Sequence, residues 1–167
     1  MEIISNYEML SDKINQLNRP VVVGIEGFSG SGKSSLADAL AKKLNALLIN
    51  TDKYVSGKDE SLSYQNRLNY NLIKSTITNV IVEPSIVIFE GICLRETLRR
   101  LGTTANFMVY VKHVAENGLW HDGFHLEDYQ TDVKIFENCK EPNRSDFIYH
   151  LKEHPQEQAN IVFHRVD

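Results

Sequence analysis

Two cysteines, Cys93 and Cys139, are all that 167 residues carry, and no C-x-x-C spacing joins them. That excludes a disulfide-stapled scaffold and a cysteine-rich zinc module, and it fits reduced thiols in a cytoplasmic protein. Positive charge is also short. Lysine and arginine total 18 against 22 acidic residues, for a net charge of −4, so nothing electrostatic supports general nucleic-acid binding. No apolar run approaches the ~18 residues that a membrane span needs. Residues 1–18 lack a basic region followed by an apolar block, so no signal peptide is expected there. Ile3, Tyr7, Leu10, Ile14 and Leu17 instead predict a leading amphipathic helix. There is no internal repeat and no low-complexity linker, and hydrophobic residues make up 42%, so one globular domain over 1–167 is expected.

Against these absences stands one dense motif. Residues 27–34 read G-F-S-G-S-G-K-S, the phosphate-binding pattern G-x-x-x-x-G-K-[ST]. Glycine is needed because so tight a loop requires positive φ. Gly27, Gly30 and Gly32 let the N–H groups of Phe28 to Ser35, Ser29 and Ser31 among them, turn around a polyphosphate. Lys33 can reach the terminal phosphates, and the Ser34 hydroxyl is placed for magnesium. The flanks agree. Residues 20–26, P-V-V-V-G-I-E, read as a buried strand, and Leu36, Leu40 and Leu44 form one face of a following helix at 33–44.

Further strands are expected at 46–50, 85–89, 106–112 and 159–164. Helices are expected at 62–81, with Leu68, Leu72, Thr76 and Val80 as a stripe ended by Pro84, at 93–101 before Gly102, and at 146–152. The stretch 56–61 reads as a loop, and 113–140 is mixed. Strands alternating with helices imply an α/β protein with a parallel sheet covered on both faces. Ligands of such sheets sit at the carboxyl ends of the strands. Two acids fall at those ends. Asp52 follows L-L-I-N-T and Glu90 follows I-V-I-F. Phosphoryl transfer needs a carboxylate to orient or deprotonate the attacking hydroxyl, and carboxylates to hold magnesium. Asp52 and Glu90 are therefore the catalytic candidates with Lys33, and Ser34, Asp52 and Glu90 are the metal candidates.

The strings V-V-V-G-I-E-G-F-S-G-S-G-K-S-S-L-A, I-N-T-D-K-Y and I-V-I-F-E-G-I together resemble the uridine kinase and phosphoribulokinase group of P-loop kinases. The late P-Q-E-Q-A-N-I-V-F-H is similar to the entry of that group's last strand. The resemblance implies a three-layer P-loop NTPase fold with a five-stranded parallel sheet of order 2-3-1-4-5. It also implies ATP and Mg2+ as cofactors and transfer of the γ-phosphate to a hydroxyl of a nucleoside or similar metabolite. It makes Asp52 base or magnesium partner, and Glu90 support for the metal and acceptor. No N-K-x-D guanine signature is present. One family feature is missing: no arginine lies between Arg100 and Arg144, where the group carries an arginine-rich lid. The segment 113–140 is expected to be lid-like, with Lys112, His121 and Arg144 as candidates for the absent cation. Tyr54, Tyr64 and Arg67 are the acceptor-side candidates. Arg95, Arg99 and Arg100 form a basic cluster on the helix leaving Gly91, either a solvated face or a phosphate contact. His121 and His125 are spaced for a shared metal on a helix, which Gly123 between them weakens. The alternative to a kinase is a nucleotide-binding regulatory or assembly module with little or no transfer.

Overall fold

The computed structural model describes residues 2–57, 59–79, 85–123, 126 and 139–166. In chain order these are β1 (Glu2–Ile4), α1 (Tyr7–Asn15), β2 (Val21–Glu26), α2 (Lys33–Leu44), β3 (Leu47–Asn50), a 3-10 turn (Thr51–Tyr54), α3 (Tyr64–Arg67), α4 (Tyr70–Thr78), β4 (Ile86–Glu90), α5 (Leu94–Leu101), β5 (Phe107–Val114), α6 (Asn143–Glu153), α7 (Pro155–Gln158) and β6 (Ile161–Val166).

The strands form one parallel sheet of order β1-β6-β5-β2-β4-β3. Read from the other edge, β3-β4-β2-β5-β6 reproduces the expected order of five. The correction is a sixth strand, β1, where a helix was expected to begin. Glu2 pairs with Ile161 and Ile4 with Phe163. Ile4 is buried while Ile3 is 60% exposed, the alternation of a strand rather than a helical stripe. The helix itself starts at Tyr7, with the Asn6 side chain accepting the Met9 N–H at 3.0 Å.

Alternation along the strands feeds two cores. Ile86 and Ile88 of β4 face α1 and α2 together with Val21, Val23, Ile25, Leu36 and Leu40. Phe89 faces the opposite layer, where Ile73 of α4 and Leu94 and Leu98 of α5 pack on Met108 and Tyr110. Full burial of such side chains contributes roughly 1.5–3 kcal/mol each. The result is the three-layer P-loop NTPase architecture.

The single helix expected over 62–81 is two short ones. Leu68 is extended (φ −73°, ψ 132°) and bridges Val55 antiparallel, and Asn69 starts α4 afresh by accepting the Leu72 N–H at 3.0 Å. The buried face of α4 is Ile73, whereas Leu72 is 49% exposed, so the expected stripe is rotated. Val80 and Pro84 lie outside the described residues. The later elements run slightly beyond their expected limits: β5 extends to Val114, and α6 spans Asn143–Glu153.

The register levels the functional edge. Glu90 pairs with Ile25 on one side and with Asn50 on the other. The chain therefore leaves β2, β3 and β4 at one height, toward the phosphate loop, Asp52 and Gly91.

Candidate functional site: the phosphate loop and two strand-end carboxylates

Between β2 and α2 the chain turns through Gly30 (φ 85°) and Gly32 (φ 91°), and Gly32 precedes the first turn of α2. Only glycine holds such angles without strain. Gly32 also has no room for a side chain, because a Cβ there would meet the Cδ of Arg165 at 2.6 Å. The loop places Ser31 and Lys33 in the interior, and Ser29 and Gly30 at the surface. Lys33 Nζ donates to the Phe28 carbonyl at 3.2 Å, and the Ser31 N–H donates to the same oxygen at 3.0 Å.

Ser34 and Glu90 meet, as their placement in the sequence implied. Ser34 Oγ donates to Glu90 Oε1 at 3.0 Å. Glu90 is fully buried, and its second oxygen, Oε2, has no hydrogen-bond partner. Burial raises the pKa of Glu90 above the ordinary carboxylate value, while Lys33 and the Ser34 hydroxyl pull it back. Asp52 stands in the 3-10 turn after β3, its N–H bound by the Asn50 side chain at 3.0 Å. It is near enough to Glu90 for its charge to raise that group further.

Tyr64 organises the acceptor side. Its hydroxyl donates to Asp52 Oδ1 at 2.7 Å and lies 2.8 Å from Thr51 Oγ1. Burial first, and the Asp52 charge second, hold this phenol far above its ordinary pKa, so it stays a donor. Its backbone N–H is bound by Ser145 Oγ at 3.0 Å. Beyond Tyr64, between α3, α5 and α6, lies a cavity of about 470 Å3 lined by Gln65, Asn66, Cys93, Glu96, Arg100 and Arg144 among others. Gly91 has no room for a side chain, because a Cβ there would collide with Thr51 Oγ1.

Other candidates have different employment. Arg67, the last residue of α3, is buried, and Tyr54 packs in the apolar clusters. Each arginine of the α5 cluster is matched to a carboxylate: Arg95 to Glu26 at 3.0 Å, Arg99 to Glu153 at 2.8 Å, Arg100 to Glu96 at 2.7 Å. Lys112 lies 4.3 Å over the Trp120 ring, and burial lowers its pKa. His121 stacks on His113 at 4.1 Å. His125 and half of 113–140 fall outside the described residues. Among the described residues no group of three or more His, Cys, Asp or Glu could hold a metal. Magnesium does not need one, since it is commonly held by one or two carboxylates plus phosphates and water. The orphaned, buried Glu90 Oε2 beside Ser34 fits that requirement.

Sequence reasoning missed the contribution of α6. Asp146 and His150, four residues apart and each 1% exposed, press on the phosphate loop from its outer side. Asp146 Oδ2 accepts the Ser29 N–H at 3.0 Å, and the His150 ring stacks on Phe28 at 3.7 Å. It also missed Glu26, a buried acid held by Arg95 and by the Tyr149 hydroxyl at 2.7 Å. The i, i+4 spacing of Asp146 and His150 was visible, but it looks the same on any solvated helix.

Comparison with known proteins places this geometry. A uridine kinase from Latilactobacillus sakei subsp. sakei is 27% identical over 77 residues, covering 44% of this chain and 36% of that protein. A uridine kinase from Lactiplantibacillus plantarum is 33% identical over 61 residues, 34% of this chain and 29% of that protein. The solved structure of a possible uridine kinase from Bacillus stearothermophilus superposes with a TM-score of 0.60, covering 94% of this chain and 96% of that one at 17% identity. The chain is thus similar to uridine kinases over these stretches and shares a P-loop kinase fold. The matched stretches span about a third of the curated relatives' length. No protein-family model matches. Among the described residues no helix is long and apolar enough to cross a membrane.

Proposed function

We propose that this chain is one P-loop kinase domain that uses MgATP to phosphorylate a hydroxyl of a nucleoside or similar small metabolite in the cytoplasm. The observation that carries the reading is the pairing of Ser34 Oγ with Glu90 Oε1 at 3.0 Å, with Oε2 left orphaned, at the mouth of the loop that buries Lys33.

In this reading the remaining loop N–H groups up to Ser35 cradle the phosphates, those of Ser29 and Ser31 being held by Asp146 Oδ2 and the Phe28 carbonyl, and Lys33 leaves that carbonyl to neutralise the phosphates. Ser34, Glu90 and Asp52 would hold magnesium, which would supply charge neutralisation for the transferring phosphoryl group. Tyr64 occupies Asp52 Oδ1 and leaves Oδ2 to take the acceptor's proton as its oxygen attacks. The acceptor approaches from the side of Tyr64 and the neighbouring cavity, and residues 113–140 act as the cover that excludes water.

A second reading is a nucleotide-binding module without efficient transfer. One observation favours it: the chain has no arginine between Arg100 and Arg144. A lid or finger arginine can be worth ~10³-fold or more in rate. The two readings separate in a screen of MgATP consumption against nucleosides, sugars and vitamin precursors. The kinase reading expects one acceptor class to raise consumption clearly, and expects Asp52→Asn to cut that rate by ~10²–10⁴-fold while ATP still binds. A blank screen, or an Asp52→Asn variant that turns over normally, contradicts it.

A further inference from the structure

The peptide unit joining Phe28 to Ser29 is held at both ends by charge. Its N–H donates to Asp146 Oδ2 at 3.0 Å, and its carbonyl accepts from Lys33 Nζ at 3.2 Å. One rigid plane therefore lies between a buried carboxylate of α6 and the buried ammonium of the phosphate loop, with its dipole aligned to both. The side chain next to this peptide is held as well. The Phe28 ring lies flat on the His150 imidazole, 3.7 Å between centroids and 12° from parallel.

Behind these contacts the network closes. His150 Nδ1 lies 2.7 Å from the Asp146 carbonyl and 3.2 Å from Asp146 Oδ1. A carbonyl only accepts, so Nδ1 carries the proton. Nε2 lies 2.9 Å from the Tyr110 hydroxyl, and Tyr110 is itself fully buried on β5. Asp146 is thus fixed by its own helix and, through His150, by the sheet, and it cannot follow the loop if the loop moves.

We infer that Asp146 and His150 are positioning residues of the phosphate loop: they set the plane of the Phe28–Ser29 peptide, and through its carbonyl they set where Lys33 waits. Without Asp146 the Ser29 N–H is left unpaired, and the plane beside the glycine-rich turn is held only through its carbonyl, by Ser31 and Lys33. This inference rests on the reading of the loop as a nucleotide site.

Its sign is opposite to that of simple electrostatics. A carboxylate near a polyphosphate repels it, so charge alone expects Asp146→Ala to tighten nucleotide binding. Positioning expects the reverse. Titration calorimetry of the full chain with MgATP distinguishes the two, with circular dichroism and thermal unfolding run on every variant. We expect Asp146→Ala to weaken MgATP by about tenfold, because the nucleotide must then order a peptide that Asp146 holds in place in wild type. Asp146→Asn keeps an oxygen for the Ser29 N–H and falls between Ala and wild type. Equal or tighter binding by Asp146→Ala overturns the inference, and so does an Asn variant no better than Ala. Lys33→Ala serves as reference: if it binds MgATP like wild type, the nucleotide-site reading itself fails. If it binds weakly while Asp146→Ala does not, only the positioning role fails. Should the Ala variant not fold, the Ser29 amide proton resonance decides. A carboxylate-bound N–H lies downfield, and it moves upfield in Asp146→Asn if the bond is present in solution. An unmoved resonance overturns the inference.

Discussion

Glu90 is a side chain placed at a cost to the fold. It is fully buried, one oxygen has no partner, and its pKa is raised above the ordinary carboxylate value of 4.5. The folded protein therefore binds this proton more tightly than the unfolded chain does. The group favours folding most below the ordinary carboxylate range, and that contribution is lost as pH rises through 4.5 toward the raised folded value. Removing the charge should stabilise the protein without ligand near neutral pH. Glu90→Gln removes the buried charge, though its amide keeps a polar atom without a partner, so it should raise Tm at pH 7, with the gain shrinking as pH falls toward 4.5. The same variant should lose the stabilisation that added Mg2+ and ATP give wild type. Thermal melts across pH, with and without MgATP, check both halves. Glu26 is buried too and burial raises its pKa as well, but Arg95 and the Tyr149 hydroxyl pull it back, so Glu26→Gln should gain less than Glu90→Gln. Tyr64→Phe tests the acceptor side. It removes the donor to Asp52 Oδ1, a net loss of about 0.5–1.5 kcal/mol for one such bond. We expect it to lower turnover while leaving MgATP affinity intact, measured as kcat against nucleotide Kd.

At the scale of elements, β2 and β4 were legible because every residue from Val21 to Val23 and from Ile86 to Phe89 is apolar, as strands buried on both faces must be. The phosphate loop was legible because its glycines answer to backbone angles that no other residue holds easily. β1 was not, since three residues cannot show a period and Ile3 also fitted a helical stripe. The break between α3 and α4 was hidden because its cause is a tertiary contact. Leu68 is pulled extended by its bridge to Val55, which no local pattern encodes. The restart is carried by Asn69, and Asn69→Ala should destabilise the protein by about 1 kcal/mol, read by denaturant unfolding. The Asp146–His150 pair escaped for a related reason. What makes it matter is the loop on which α6 lands.

For the whole molecule, the register that levels Ile25, Asn50 and Glu90 is what turns three separate sequence motifs into one edge. The order of the middle strands followed from the family resemblance, and the sixth strand at the sheet's edge leaves that edge untouched. The two thiols report on integrity of the packing around it. Cys93 starts α5 inside the protein, and burial raises its pKa well above the ordinary thiol value, whereas Cys139 is partly exposed. A thiol-specific reagent should therefore label Cys139 first and Cys93 only as the fold opens. Two equally fast thiols would contradict the packing between α5 and α6.

Whether the loop, Lys33 and the Ser34–Glu90 pair receive a magnesium nucleotide decides what this chain does. Calorimetric titration of MgATP into wild type and Lys33→Ala tests this most directly. We predict saturable binding by wild type that weakens without Mg2+, and a loss of at least about tenfold in Lys33→Ala, since charge-assisted hydrogen bonds are worth ~1.5–3 kcal/mol each. Equal affinity in the two proteins, or no binding by wild type, would contradict it.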